Sequence, residues 1–415
     1  MRPEDVRAML WAFAYFFCLL ASYYILRPLR DEMGVAGGVR NLQWMFSATF
    51  VVMLAAVPVF GMLVARIPRR RFVPWVYRFF IINILIFFLA LKFTGSSPWV
   101  ARVFFVWVSV FNLFVVTVFW SFMADLFTSE QGKRLFGFIA AGGTTGALLG
   151  PTVTAALAVP LGPVNLLLIS AVLLEGAAQC VGGLLRTADA GGTEAAARLN
   201  NDSAVGGGMW AGLVHVIRSP YLLMICGHIV LLTTTATFLY FQQAEVVSKA
   251  FTDPGERTRV FALIDLAVGL ATLLVQVSAT GRLITRFGVA PALAFMPLVT
   301  LVGFLALAVA PVLGVVIAFQ AIRRAADFAI TNPAREILFT VIPREDKYKA
   351  KNFMDTVVFR GGDAASGWTF AGLRGAGLEL TAIAWLTVPV AAIWIGLCLV
   401  LGKRQERRAR ELGSQ

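Results

Sequence analysis

Histidine, cysteine and charge are all scarce in this chain. Two histidines and four cysteines occur among 415 residues, and charged side chains make up 14%. Cys18, Cys180, Cys226 and Cys398 each fall inside an apolar run without metal-ligand spacing. They read as small buried hydrophobes, which excludes a disulfide framework and a zinc site. His215 and His228 stand apart, with no carboxylate or cysteine at ligand spacing, so no metal is expected. His215 is placed at the membrane surface and His228 in helix packing. No G-x-x-x-x-G-K-[ST] segment occurs, because the glycine-rich run over 142–150 lacks the lysine. A phosphate cradle for ATP hydrolysis is therefore missing, and neither an enzyme nor a cofactor is expected. Strand-like alternation is absent too, which argues against a membrane barrel.

What the chain has instead is apolar length. Hydrophobic residues make up 59% and the mean hydropathy is +0.78, too apolar for a soluble domain. At about twenty residues per crossing, the chain accommodates roughly twelve membrane helices. We read crossings over 8–27, 44–65, 74–93, 101–126, 135–158 and 164–185, and then over 220–243, 259–280, 289–309, 312–331, 352–373 and 380–401. The intervening segment is rich in Ala, Gly, Asp and Asn and reads as a linker. The expected organisation is an N-terminal six-helix half (1–185), a cytoplasmic linker (186–208), a C-terminal six-helix half (209–402) and a basic cytoplasmic tail (403–415). The first apolar run is long and ends in Arg-Pro, so it reads as a membrane helix rather than a cleavable signal.

The 36 basic and 23 acidic residues give +13, in a membrane protein a topology signal before a nucleic-acid one. An inside N-terminus puts Arg66, Arg69, Arg70, Arg71, Lys133 and Arg134 on the cytoplasmic side. The tail cations Lys403, Arg404, Arg407, Arg408 and Arg410 fall there as well. The expectation is a multi-pass protein of a bacterial inner (plasma) membrane with both termini cytoplasmic. Its partners would be the bilayer and a small solute, not nucleic acid. Helices ten and eleven are interrupted by Arg323, Arg324, Asp327, Arg360 and Asp363.

The first crossing closes with Arg27-Pro28-Leu29-Arg30-Asp31-Glu32. Arg27 and Arg30 share a helix face, Arg27 and Asp31 are spaced to pair, and Pro28 removes one backbone hydrogen bond. Charge beside lipid is costly unless it meets water, a partner or a substrate. Interfacial snorkelling and a functional role both account for this stretch.

Two further segments share the pattern G-x-L-x-x-R. Gly61 to Arg66 and Gly281 to Arg286 lie 220 residues apart, at matching places in the two halves. Two six-helix halves repeated in parallel is the layout of the major facilitators. The segments resemble that superfamily's loop 2–3 signature, in which the glycine permits close packing and the arginine braces a neighbouring helix. Ala65 and Thr285 stand where the signature carries an acid. The run Gly142 to Pro151, ending in Gly150-Pro151, resembles the superfamily's helix-five Gly-Pro motif. Generic small-residue packing accounts for it equally well. The fold class expected is thus an all-α membrane protein of about twelve transmembrane helices, in two major-facilitator-like halves.

Charged side chains recur along the chain where such a protein would hold a substrate. Asp125 ends helix four ahead of Lys133 and Arg134, as a cap, an ion-pair partner or a ligand residue. Glu175 and Gln179 share a face of helix six. Helix seven ends in Glu245-Val246-Val247-Ser248-Lys249, the counterpart of the opening stretch, and helix eight carries Asp265. Beyond it come Arg335-Glu336, Lys351, Asp355, Arg360 and Asp363. Arginine suits a bidentate grip on phosphate or carboxylate, and lysine a mobile point charge. An anionic substrate is the leading inference, with ion pairs acting as gates its competitor. Proton coupling through Glu175, Asp265 or Asp363 is an alternative, and a non-transporting scaffold or lipid-handling protein a second one.

Several of these segments together resemble the ADP/ATP translocases of plastids and intracellular bacteria. They are Arg27 to Asp31, Phe119 to Asp125 with Lys133-Arg134-Leu135, Glu245 to Lys249, Asn332 to Glu336, and Lys347 to Asp355. The matches lie in both halves and in order. Arg30 stands where that family has lysine. The resemblance implies nucleotide exchange by alternating access, with Arg30, Asp125, Glu245 and Lys351 as its leading positions. The full set of expected substrate-binding residues is Arg27, Arg30, Asp125, Lys133, Arg134, Glu245, Lys249, Arg335, Glu336, Lys351 and Arg360. Gly61, Arg66, Gly150, Pro151, Gly281 and Arg286 are expected to serve gating or structure.

Overall fold

The computed structural model of the protein describes residues 3–95, 97–190, 216–217, 219–278, 288–342, 350–351 and 353–413. Among them the chain is helical, with no strand. The first six helices are α1 (Pro3–Ala36), α2 (Leu42–Arg66), α3 (Arg69–Thr94), α4 (Pro98–Leu126), α5 (Ser129–Leu157) and α6 (Leu166–Ala190). Then follow α7 (Pro220–Ala250), α8 (Pro254–Ser278), α9 (Val289–Val309), α10 (Leu313–Ala326), α11 (Asn332–Leu338), α12 (Phe359–Gly375) and α13 (Leu380–Gly413). Ten helical stretches among the described residues are long and apolar enough to cross a membrane.

The two regions that the sequence marks as interrupted are broken in a defined way. α10 passes through a π turn, Asp327–Thr331, into α11, and a second π turn, Met354–Val358, opens α12. Pro333 accounts for the first. It has no N–H to donate, so the backbone changes register just before it.

Two helix ends depart from expectation. α1 does not stop at Arg27 but runs through Pro28 to Ala36, since one proline removes only one hydrogen bond. It ends at the Gly37-Gly38 pair, where Gly38 takes a φ of 97° and its N–H bonds the Val35 carbonyl at 2.9 Å. The charged stretch is therefore inside the helix. α7 likewise carries Glu245 and Lys249 within its last two turns.

By internal contacts the chain divides into two compact units. One comprises Met1–Gly38, Val51–Val205 and Phe251–Leu266; the other comprises Val39–Phe50, Gly206–Ala250 and Ala267–Gln415. In the first, α1 is the central helix and packs along α5 and α6. Its seam with α5 is made by glycine: a Cβ at Gly146 would strike the Phe17 carbonyl, and one at Gly150 would lie 2.7 Å from Tyr24 Cβ. Small residues let the two backbones approach, so the Gly-Pro run serves packing against α1. Gly61, expected to do the same, has no heavy atom within 4 Å of where its Cβ would stand. The side chain of Arg66, and Gly281 and Arg286 altogether, lie outside the described residues.

The core of this unit is aromatic. The Tyr15 and Tyr77 hydroxyls hydrogen-bond, and Phe119 meets the Tyr15 ring edge-on with centroids 4.8 Å apart. The outer face of α3 is an exposed apolar stripe, Trp75, Phe79, Ile82, Ile86, Leu89 and Phe93. Its three- and four-residue steps mark one helix face turned to lipid. In the second unit α13 packs along α9, and Tyr221, Ile225, Met296, Trp394 and Cys398 are buried together.

Candidate substrate-binding site

The second unit contains a cavity of about 670 Å³. It is lined by the turn at Val39-Arg40, the end of α7 and the end of α12, with Arg40, Lys249, Arg374 and Glu245 as its charged groups. Helix endings bring these together. Glycine 377 takes a φ of 88° after α12, which turns the chain back so that the Leu378 carbonyl accepts from Arg374 Nη1 at 2.8 Å. The other guanidinium nitrogen, Nη2, donates to Glu245 Oε1 at 2.8 Å. Lys249 Nζ reaches the same oxygen at 2.8 Å from one turn further along α7. Gln43 Nε2 donates to the Arg40 carbonyl at 2.8 Å and steadies that turn. On the apolar side Phe241 and Phe370 meet edge to face at 5.3 Å.

Two cations thus share one carboxylate, with Arg40 a third cation on the lining of a cavity of ligand size. Lys249 is 68% exposed and Arg374 35%, against 14% for Glu245. The acid is held down while the cations keep donors open to the cavity. Arg40, Gln43 and Arg374 escaped the sequence reading. The two arginines share one signal, each flanking a glycine-marked helix end, Gly37-Gly38-Val39-Arg40 and Arg374-Gly375-Ala376-Gly377; Gln43 has none.

The remaining expected residues fall into pairs. Lys351 Nζ bonds both carboxylate oxygens of Glu336, at 2.6 and 2.8 Å, and lies over the Phe339 ring. Arg335 stands 3.8 Å from Asp355, and Arg360 stands 3.6 Å from Asp363, which also accepts from Thr237. Arg323, buried in α10, donates to the Leu232 carbonyl at 3.0 Å. In the first unit Arg27 pairs with Asp265 on α8 at 3.7 Å. Arg30 lies over the Phe105 ring at 4.4 Å. Glu32 takes both Nε and Nη2 of Arg257, at 2.6 and 2.7 Å. No sequence spacing records that bidentate pair, although Glu32 belongs to the charged stretch Arg27 to Glu32.

Asp125 sits in the last turn of α4, and the cap of α5 is Thr128, in a reciprocal capping box with Gln131. Arg134 is exposed on α5, and the Lys133 side chain lies outside the described ones. Glu175 accepts from Gln179 at 2.5 Å on a partly exposed face of α6. One sequence reading needs correction: His228 does have a cysteine neighbour. Cys398 Sγ lies 3.2 Å from its Nδ1, and Trp394 Nε1 donates to the same nitrogen at 3.0 Å. Sequence separation hid the contact, since α13 brings both partners to α7. Among the described residues no three metal-ligating side chains come together.

Long apolar helices make this a membrane protein, and its family makes it a secondary transporter. The chain belongs to the Major Facilitator Superfamily, whose family model matches residues 8–345. It is an all-α membrane protein of about twelve transmembrane helices, and the two broken helical regions complete the ten long spans. A search among curated proteins gave no match. Among solved structures the chain is similar to the nucleoside transporter NupG, at 15% identity and a TM-score of 0.63, over 98% of this chain and 99% of that one. It is similar to a bacterial homologue of the iron transporter ferroportin, at 13% identity and a TM-score of 0.68, over 97% and 98%. An auto-inhibited peptide transporter of the POT family gives 16% and 0.63, over 97% of each chain. At these identities the likeness speaks for the fold alone.

Proposed function

We propose that the protein carries a nucleotide or similar phosphorylated anion across the membrane, by exchange, as a divergent relative of the ADP/ATP translocases. The observation that carries this reading is the cavity of about 670 Å³ with Arg40, Lys249 and Arg374 set against the single carboxylate of Glu245. Guanidinium forks and a lysine suit phosphate oxygens, and the buried Phe241 and Phe370 back the cavity with an apolar wall. In this reading residues 1–185 and 209–402 are the two moving halves, 186–208 joins them, and both termini lie on the cytoplasmic side of a bacterial inner membrane. The test is uptake of α-labelled ATP by proteoliposomes preloaded with ADP or left empty. Uptake confined to preloaded vesicles is the expected result. Equal uptake into empty vesicles excludes obligate exchange, and none in a folded preparation excludes ATP.

A second reading rests on Asp265, which is buried beside Arg27. A carboxylate in that setting is suited to proton coupling. Uptake that collapses on adding an uncoupler would favour it; exchange is indifferent to the uncoupler.

A further inference from the structure

The last helix, α13, carries more charge than its anchoring needs. Its apolar part, 380–401, is about 33 Å long at 1.5 Å per residue, enough for a hydrocarbon core of about 30 Å. The helix then continues without a break to Gly413. Lys403, Arg404, Arg407, Arg408 and Arg410 follow the apolar part at once. At about 100° per residue these five fall within one face about 160° wide. Gln405, Glu406 and Ala409 occupy the opposite face.

That opposite face is fixed to the protein. Gln405 is buried, Glu406 Oε1 accepts the Val289 N–H that opens α9 at 3.2 Å, and a Cβ at Gly402 would collide with Ala290. Arg408 is held over the Tyr221 ring at 4.5 Å. The basic face is left exposed: Lys403, Arg404, Arg407 and Arg410 all lie in the open. Lys403 and Arg407, and Arg404 and Arg408, are like charges one turn apart; Glu411 shares this face at its far end and leaves the repulsion of the band at 403–404 with 407–408 in place. The helix dipole favours cations only in the final turn, so it does not account for the band at 403–407.

We infer that this face is a docking site for the anionic headgroups of phospholipids. Helical side chains lean towards the N-terminus of their helix, which here is the membrane end. Lys403 and Arg404 rise about 3–5 Å beyond Leu401 and Arg407 about 9 Å, within and just beyond a headgroup layer about 5–8 Å deep. Their side chains reach back to phosphodiester oxygens, which relieve the repulsion along the helix. A juxtamembrane cluster of this size is of the kind that binds acidic lipid.

The test is a thermal-shift titration of the purified full chain in neutral detergent. The additives are phosphatidylglycerol, phosphatidylcholine and inorganic phosphate. Phosphatidylglycerol alone is expected to raise the unfolding midpoint. The variant Lys403→Gln/Arg404→Gln/Arg407→Gln should need at least about tenfold more of it, and Arg404→Gln alone about fivefold more. A variant with three cations removed elsewhere, Arg7→Gln/Arg71→Gln/Lys92→Gln, should titrate like the parent. An equal response to phosphatidylcholine overturns the proposal, and so does unchanged affinity in the α13 variants or an equal loss in the control variant. A matching response to inorganic phosphate would instead make this a site for soluble anions. If the triple variant does not fold, Arg404→Gln carries the decision by itself.

Discussion

Two carboxylates near helix ends, Glu32 on α1 and Glu245 on α7, answer to the same sequence pattern and live in different surroundings. Glu32 is 1% exposed and gives both oxygens to one arginine, Arg257, which is itself 13% exposed. Glu245 shares one oxygen between Arg374 and Lys249 beside an open cavity. The first pair has used up its hydrogen-bonding capacity and is closed to ligand. The second leaves guanidinium and ammonium donors facing space. Charge at a helix end is therefore not itself a substrate site; what separates the two cases is whether a cation remains accessible after the acid is satisfied.

Breaking the closed pair should give the largest effect. Arg257→Gln leaves the Glu32 carboxylate buried without its partner, which costs about 3–5 kcal/mol in a protein interior. In a membrane protein the lower end applies, because the unfolded chain in detergent also finds polar partners. Glu32→Gln should be milder, since Arg257 keeps the carbonyls of Phe251 and Thr252. The unfolding midpoint reads both. Equal, small shifts would show the pair to be dispensable and erase the contrast with Glu245.

At the open site the loss should appear in binding and not in stability. Arg374→Gln removes the guanidinium that touches both Glu245 and the cavity. Glu245 then keeps only Lys249, and in the proposed reading its carboxylate opposes the anion. A charged hydrogen bond is worth about 1.5–3 kcal/mol, so affinity for the anion should fall by about 10- to 100-fold, with the midpoint little moved. A fall in the midpoint with unchanged affinity would make this a structural pair like the first.

The packing seam gives an intermediate effect with no charge involved. Gly146→Leu inserts a side chain against the Phe17 carbonyl and should cost about 1–3 kcal/mol by overpacking. Gly61→Leu, where the site is open, should leave the midpoint in place. Equal destabilisation at the two positions would restore to Gly61 the close-packing role expected from its G-x-L-x-x-R signature.

The same contrast marks how far the sequence could be read. Helix number, order and most boundaries were legible because lipid enforces long apolar runs. α1 and α7 run beyond the bounds that their charged residues suggest. In the structure those residues are tolerated inside the helix, paired with α8 or turned to a cavity. Glu245 and Lys249 were found, since one turn of helix places them together. Arg40 and Arg374 were not, since they reach the cavity from two other elements and no local spacing records that. Nor does spacing record the pairing of Glu32 with Arg257, or of His228 with Cys398.

The smallest effect should come from Lys249, and its smallness is informative. Its ammonium is 68% exposed, on a flexible stem, and shares Glu245 with a better-placed guanidinium. Exposed pairs of this kind contribute about 0–1 kcal/mol, so Lys249→Gln should weaken anion binding less than about fivefold. It should also steepen nothing in the salt dependence, because a single screened charge is being removed. A loss as large as that of Arg374→Gln would mean that the lysine closes onto the ligand and that the resting pair with Glu245 is only where it waits. In that case Glu245→Gln, by freeing Lys249, should tighten binding of the anion.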